Sequence, residues 1–315
     1  MKEQSSATEP STITAGFTLG ALGVLAFSLS LPMTRVAVQQ LDPWFVAFGR
    51  AVGAAGLAWV YLRVTRAPSP TREQWRRLAI VALGVVVGFP LFTSLALTTQ
   101  TSAHGAVVVT VLPAMTAVFA VLRAGERPPP VFWVASGAGL LAIVTFLILS
   151  GAVSGALSFA DLFLLAAVVL CGLGYAEGGV LARSLGGART ICWALLLSLP
   201  VSVPVTIAAG VAAPPRAGLG GWSAFAYLTA ISMFLGFFAW YAGLARGGIA
   251  RVGQIQLAQP LLTLAWSALL LGESITPLSM VAAAVVLACV VLTQRTRRPA
   301  VVPPRPEAQP LSRAR

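Results

Sequence analysis

Ten stretches of about twenty apolar residues follow one another along this chain, each long enough to cross a bilayer as a helix. They fall at roughly 15–38, 43–64, 76–99, 103–124, 130–150, 158–181, 188–211, 221–245, 250–271 and 275–294. Composition agrees: 10% of the 315 residues are charged, against about 25% in a soluble domain whose surface must be polar. An all-α polytopic membrane protein is therefore predicted, with short connections that make neighbours antiparallel. Breakers punctuate several boundaries: Asp42-Pro43, the run Pro128 to Pro130, Pro214-Pro215, and Thr276-Pro277, where a cap residue is followed by a first-turn proline. Residues 1–13 and 295–315 are polar or Pro/Arg-rich and read as disordered tails. The first apolar stretch is simply the first of many, so a cleaved signal peptide is not expected.

The net charge of +12 would suggest nucleic acid in a soluble protein. Its placement gives another reading. With the N-terminus in the cytoplasm, 18 of the 21 Lys and Arg residues fall in inside loops and tails. Only Arg35 and Arg216 fall outside, and Arg50 lies within a span. That is the positive-inside bias of a protein with an even number of spans and both ends inside. The expected location is the plasma (inner) membrane, multi-pass, with no nucleic-acid partner.

An internal repeat is the strongest functional signal. Residues 103–126 read AHGAVVVTVLPAMTAVFAVLRAGE and residues 250–273 read ARVGQIQLAQPLLTLAWSALLLGE. At a constant offset of 147, Ala103/Ala250, Pro113/Pro260, Thr116/Thr263, Leu122/Leu269, Gly125/Gly272 and Glu126/Glu273 coincide. The chain then divides into a tail (1–13), a first five-helix repeat (14–150), a second (158–294) and a tail (295–315). Five is odd, so the second copy enters the membrane upside down. Inverted repeats around a central site are the architecture of secondary transporters, because exchanging the two conformations opens the site to alternate sides.

Two copies of a helix with a mid-span proline, ending in Gly-Glu, resemble the EamA-type drug/metabolite transporter superfamily. Arg50 in PWFVAFGR and the step LALTTQTSA from the third helix into the fourth belong to the same pattern. The resemblance covers about residues 15–294. It implies a ten-helix bundle with inverted halves, a central cavity, and export of amino acids or related small metabolites. It carries no substrate residue over.

Ionisable groups inside a bilayer are costly, so each calls for a reason. Arg50 is expected to gate or pair with an acid, or else to bind a substrate carboxylate. Glu177, six residues before Arg183, reads as an interfacial residue or as a buried coupling or gating carboxylate. His104 begins the fourth helix and reads as an exposed helix-start residue or a titrating gate. Glu126 and Glu273 are expected as structural anchors, each accepting free backbone N–H groups of the helix that follows it.

Cavity candidates come from helix periodicity. Gln256, Gln259, Thr263 and Trp266 share one face of the ninth helix, whereas their mates are Val109, Leu112, Thr116 and Phe119. Glutamines facing lipid would leave amides unsatisfied, so this face is expected to line the cavity or to glue helices together. In the eighth helix Phe234, Phe237 and Tyr241 make a stripe that packs either an apolar substrate or lipid. Phe92 is a further candidate lining residue. Ser28, Ser30 and Thr34 surround Pro32, which removes a backbone bond and should bend the first helix. Gly49/Gly53 and Gly84/Gly88 have the spacing that lets helices approach closely. Cys171, Cys192 and Cys289 lie far apart in apolar runs and read as small buried hydrophobes, with no metal or redox pattern.

An enzyme is not expected. The only lysine is Lys2, which forbids a phosphate-binding Walker loop, and neither a zinc-protease motif nor a nucleophile elbow is present. The expected partners are a small-molecule substrate and the lipid bilayer, with a homodimer left open and no cofactor or metal. A passive channel or a multidrug-type exporter of apolar compounds is the alternative to a metabolite carrier.

Overall fold

The computed structural model describes residues 10–124, 158–247 and 254–295, with isolated helical positions between 130 and 145. Most of the expected fifth helix (130–150), the Gly125-Glu126 pair and most of both tails lie outside the described residues. Every regular element among the described residues is helical. In chain order these are α1 (Pro10–Ser28), α2 (Ser30–Val38), α3 (Pro43–Val64), α4 (Arg72–Ala96), α5 (Ser102–Val109), α6 (Leu112–Ala124), α7 (Phe159–Leu185), α8 (Gly187–Ala212), α9 (Leu219–Arg246), α10 (Gln259–Leu271) and α11 (Pro277–Arg295).

Among the described residues, six spans are long and apolar enough to cross a membrane: Thr14–Val38, α3, α4, α7, α8 and α9. The expected fourth and ninth spans are instead broken. α5 ends in a turn at Thr110-Val111 before α6, and a 3₁₀ segment, Gln254–Ala258, precedes α10. The cause is local. Pro113 and Pro260 have no N–H for the carbonyls of Val109 and Gln256 four residues back, so the α ladder cannot run through either point. The first span is interrupted in the same way at Leu29, three residues before Pro32 rather than at the proline itself.

Helix starts follow their sequence signals. Asp42 accepts from the backbone of Trp44 and Phe45 (2.9 and 3.0 Å) ahead of Pro43. Thr71 with Gln74, and Ser158 with Asp161, close reciprocal capping boxes at α4 and α7.

Packing joins the two halves of the chain. α1 runs along the C-terminal part of α9, α4 along α7, α3 along α8, and α5 against α10. Two of these contacts depend on missing side chains. A Cβ on Gly84 of α4 would collide with the Leu170 carbonyl oxygen of α7, and one on Gly243 of α9 would lie 2.7 Å from the Gly20 nitrogen of α1. Gly88 also packs on α7, while Gly49 and Gly53 face Phe225 and Thr229 of α9. With both backbones this close, dispersion supplies the attraction that the hydrophobic effect cannot supply in lipid.

A second irregularity is repeated. α4 widens into a π-helical segment over Ala82–Gly88, just before Pro90, and α9 does so over Leu228–Leu235. Shifted by the repeat offset of 147, the first segment becomes 229–235 and overlaps the second almost completely. Such wide turns concentrate at functional sites, because they displace side chains from the regular helical register.

Candidate functional site

A narrow cavity lies where the irregular segments converge. Its aromatic wall is Phe27 of α1, Tyr175 of α7 and Phe237 of α9, with ring centroids 4.8 Å apart for Phe27–Phe237, 6.0 Å for Tyr175–Phe237 and 6.4 Å for Phe27–Tyr175. Its polar groups are few: Arg50, Gln259, and the Ser30–Ser232 pair, whose hydroxyls meet at 2.7 Å. Leu31, Val85, Phe89, Pro90, Leu112, Cys171 and Met233 complete the lining.

Arg50 is a costly group to bury. It is 2% exposed, and its Nη1 donates to Thr34 Oγ1 at a long 3.5 Å. Its Nε has no hydrogen-bond partner. Gln259, 7% exposed, leaves its Oε1 without a partner, and Gln256, 4% exposed, leaves its Nε2 so. Gln256 and Gln259 also face Val109, Leu112, Pro113 and Pro260 across a smaller cleft between the two helix breaks. Each unsatisfied buried polar group costs about 1–3 kcal/mol, more when charged. Arg50 Nε, Gln259 Oε1 and Gln256 Nε2 are therefore polar atoms here that a ligand could partner.

Three cavity pairs are related by the repeat offset: Val85 with Ser232, Pro90 with Phe237, and Leu112 with Gln259. In the first and third of them an apolar residue of the first half faces a polar residue of the second.

Residues 14–148 and again 158–295 match the EamA-like transporter family. The chain belongs to this family. It is 44% identical over 282 residues to the "Uncharacterized transporter YdeK" of Bacillus subtilis (strain 168), covering 90% of this chain and 98% of that one. An "Uncharacterized transporter" of Archaeoglobus fulgidus is 23% identical over 276 residues, 87% of this chain and 95% of the other. A solved structure, described only as the crystal structure of a protein, superimposes with a TM-score of 0.61 over 90% of this chain and 98% of its own. At 16% identity that likeness concerns the fold alone. This EamA-like chain is thus a membrane transporter with an all-helical fold, and its family points to transport rather than to enzymatic chemistry.

In this EamA-like transporter the candidate residues separate into groups. Arg50, Phe237 and Gln259 line the cavity, and Gln259 with Gln256, Pro113 and Pro260 also lines the second cleft. Ser28 and Thr263 are instead joined to each other. Pro32 has no N–H to offer the Ser28 carbonyl, and Thr263 Oγ1 donates to that oxygen at 2.8 Å. Trp266 Nε1 adds a 3.0 Å bond to Ser28 Oγ. This part of the ninth-helix face is therefore glue between α1 and α10. Thr34 supports Arg50 from behind. Phe92 stacks on Phe163 (5.7 Å), and Tyr241 is buried where Gly178 and Gly187 leave room for its ring. Neither lines the cavity.

The remaining candidates sit in contacts beyond the cavity. Glu177, 2% exposed, pairs with Arg77 Nη1 at 3.7 Å, joining α7 to α4. His104 is half-buried, with Nε2 2.8 Å from Asp161 Oδ1. Glu273 corrects the expectation that it anchors the helix after it. Gly272, in the left-handed conformation (φ 63°), ends α10 and turns the chain back. The carboxylate then accepts from the backbone of Ser102 (3.0 Å) and Ala103 (2.8 Å) and from Ser102 Oγ (2.9 Å), so it caps α5 of the other half. Glu126 lies outside the described residues.

Sequence reasoning passed over Phe27, Tyr175 and Ser232. For Ser232 a signal existed: it is the mate of Val85, and it is the one hydroxyl in ISMFLGFF.

Proposed function

We propose that this transporter is a secondary carrier that exports a small metabolite, an amino acid or a related compound, by alternating access through the central cavity. In this reading ten spans form two inverted five-helix repeats in the inner membrane, with both termini cytoplasmic. The observation that carries it is the cavity built from repeat mates, Val85/Ser232, Pro90/Phe237 and Leu112/Gln259. The packing supports it too. Under the repeat offset the first helix becomes the sixth and the third becomes the eighth, so the α1–α9 and α4–α7 contacts are each other's images. The α3–α8 and α5–α10 contacts map onto themselves. A site on such an axis opens to the opposite side when the halves exchange conformations.

Contacts away from the cavity suit gates. The Glu273–Ser102 cap joins the halves near one membrane face, and the Arg77–Glu177 pair joins α4 to α7 near the other. The test is counterflow in proteoliposomes. Unlabelled substrate inside should accelerate entry of labelled substrate, because a loaded site returns faster than an empty one. Flux that rises linearly with outside concentration and ignores internal substrate would overturn the carrier reading and favour a channel. Growth with toxic amino acids and analogues, comparing overexpression with deletion, supplies the substrate for that assay.

A further inference from the structure

Arg50 is a cation buried in a cavity wall, and the acids that might balance it are committed elsewhere. Among the described residues Asp42 caps α3, Glu73 meets Arg77 on the surface, Asp161 holds His104, Glu177 also takes Arg77, and Glu273 caps α5. None of them lines the cavity. A guanidinium at 2% exposure with an unpartnered Nε and one 3.5 Å bond is therefore charge in search of an anion. Planar guanidinium groups match carboxylates in particular, because two N–H groups meet two oxygens at once.

The other cavity groups narrow the class. Gln259 offers an amide whose Oε1 is unpartnered, and the Ser30–Ser232 contact uses only one of its two hydroxyl hydrogens. Both are neutral. An α-ammonium group entering beside the carboxylate would lose its water and find no acid to replace it, a loss that neutral oxygens offset poorly. In the same cavity as Arg50, the rings of Phe27, Tyr175 and Phe237 cluster into an apolar wall, with centroids 4.8 Å (Phe27–Phe237) and 6.0 Å (Tyr175–Phe237) apart.

We propose that the cavity takes a small monoanionic carboxylate with an apolar, ring-sized body, its carboxylate on Arg50 and its body against Phe27, Tyr175 and Phe237. The proposal rests on the cavity being the transport site and sharpens its substrate: the anion is preferred over the zwitterionic amino acid of the same shape.

Three probes with one ring and different charge test it: 3-phenylpropanoate (anion), phenylalanine (zwitterion) and phenethylamine (cation). Binding to the purified full chain in detergent is measured by titration calorimetry. The anion should bind best, the zwitterion about tenfold more weakly or worse, and the cation least. Arg50→Gln should weaken the anion by roughly ten- to a hundredfold and strengthen the amine, which loses a like charge from its site, and Arg50→Lys should fall between for the anion. Equal binding of all three, no binding of the anion at millimolar concentration, or an Arg50→Gln chain that keeps full affinity for it overturns the proposal. The ranking on the wild-type chain stands even if the variants fail to fold. Counterflow separates this proposal from the carrier reading. Anion binding without trans-stimulation sinks the carrier and leaves the site, whereas trans-stimulation by a substrate indifferent to Arg50→Gln sinks the site and leaves the carrier.

Discussion

The segment 102–124 and the segment 254–271 break at corresponding places and for one reason, a proline without an N–H, yet their side chains have parted. Toward the shared cleft the first presents Val109 and Leu112, the second Gln256 and Gln259. Their threonine mates differ as well. Thr116 Oγ1 bonds back to Leu112 O in its own helix (2.9 Å), whereas Thr263 Oγ1 reaches Ser28 O of another (2.8 Å). Backbone irregularity is thus common to both halves, and polar chemistry is concentrated in one. The shared part is what movement of two similar halves requires. The unshared part is what a particular substrate requires, since a substrate has no reason to be two-fold symmetric.

Replacing the polar side by its apolar mate gives the largest effect. Gln256→Leu with Gln259→Leu should cut transport by about ten- to a hundredfold, the loss of one or two hydrogen bonds to substrate. The same change removes two unsatisfied buried amides, so the unfolding midpoint in detergent should hold or rise. A folded double variant with wild-type transport would break the contrast between the segments and move the site elsewhere.

Next comes the tie between the segments. Glu273→Ala leaves the N–H groups of Ser102 and Ala103 without their acceptor, whereas the Ser102 hydroxyl keeps Ser267 Oγ at 2.8 Å. It should cost about 2 kcal/mol by thermal or denaturant unfolding, and Glu273→Gln should recover part of it. An unchanged midpoint would mean that the halves are held by packing alone.

The threonines give the smallest effect. Thr263→Val should cost about 1 kcal/mol, because it strands the carbonyl that Pro32 already frees, whereas Thr116→Val should cost less than half of that, since its acceptor keeps a helical partner. Equal costs would remove the distinction between local and interhelical bonding.

Much of this was legible in the sequence. Apolar runs and cation placement reveal the helices, and the offset of 147 reveals which are mates. The prolines 113 and 260 mark the breaks, although a window that scores apolar length reads straight through them. The site was legible only in part. Periodicity puts Gln256, Gln259, Thr263 and Trp266 on one face, but not where that face divides between cavity and glue. Thr263 belongs with Ser28 because the missing N–H of Pro32, in the other half of the chain, leaves an oxygen that needs a donor. Tyr175 and Phe27 look like any other core aromatic until two helices bring them together. Glu273 points across the interface rather than along its own chain, and no local cap rule contains that geometry.

The central claim is that the cavity is reached alternately from the two sides of the membrane, and the native thiol of Cys171 in its wall can report this directly. With Cys192→Ala and Cys289→Ala in place, a small membrane-impermeant thiol reagent is applied to right-side-out and to inside-out vesicles. The expected result is labelling of Cys171 from both faces, slowed by substrate in each case, and absent when Cys171→Ala is added. Labelling from one face only, whatever the substrate or the gate variant, would contradict alternating access.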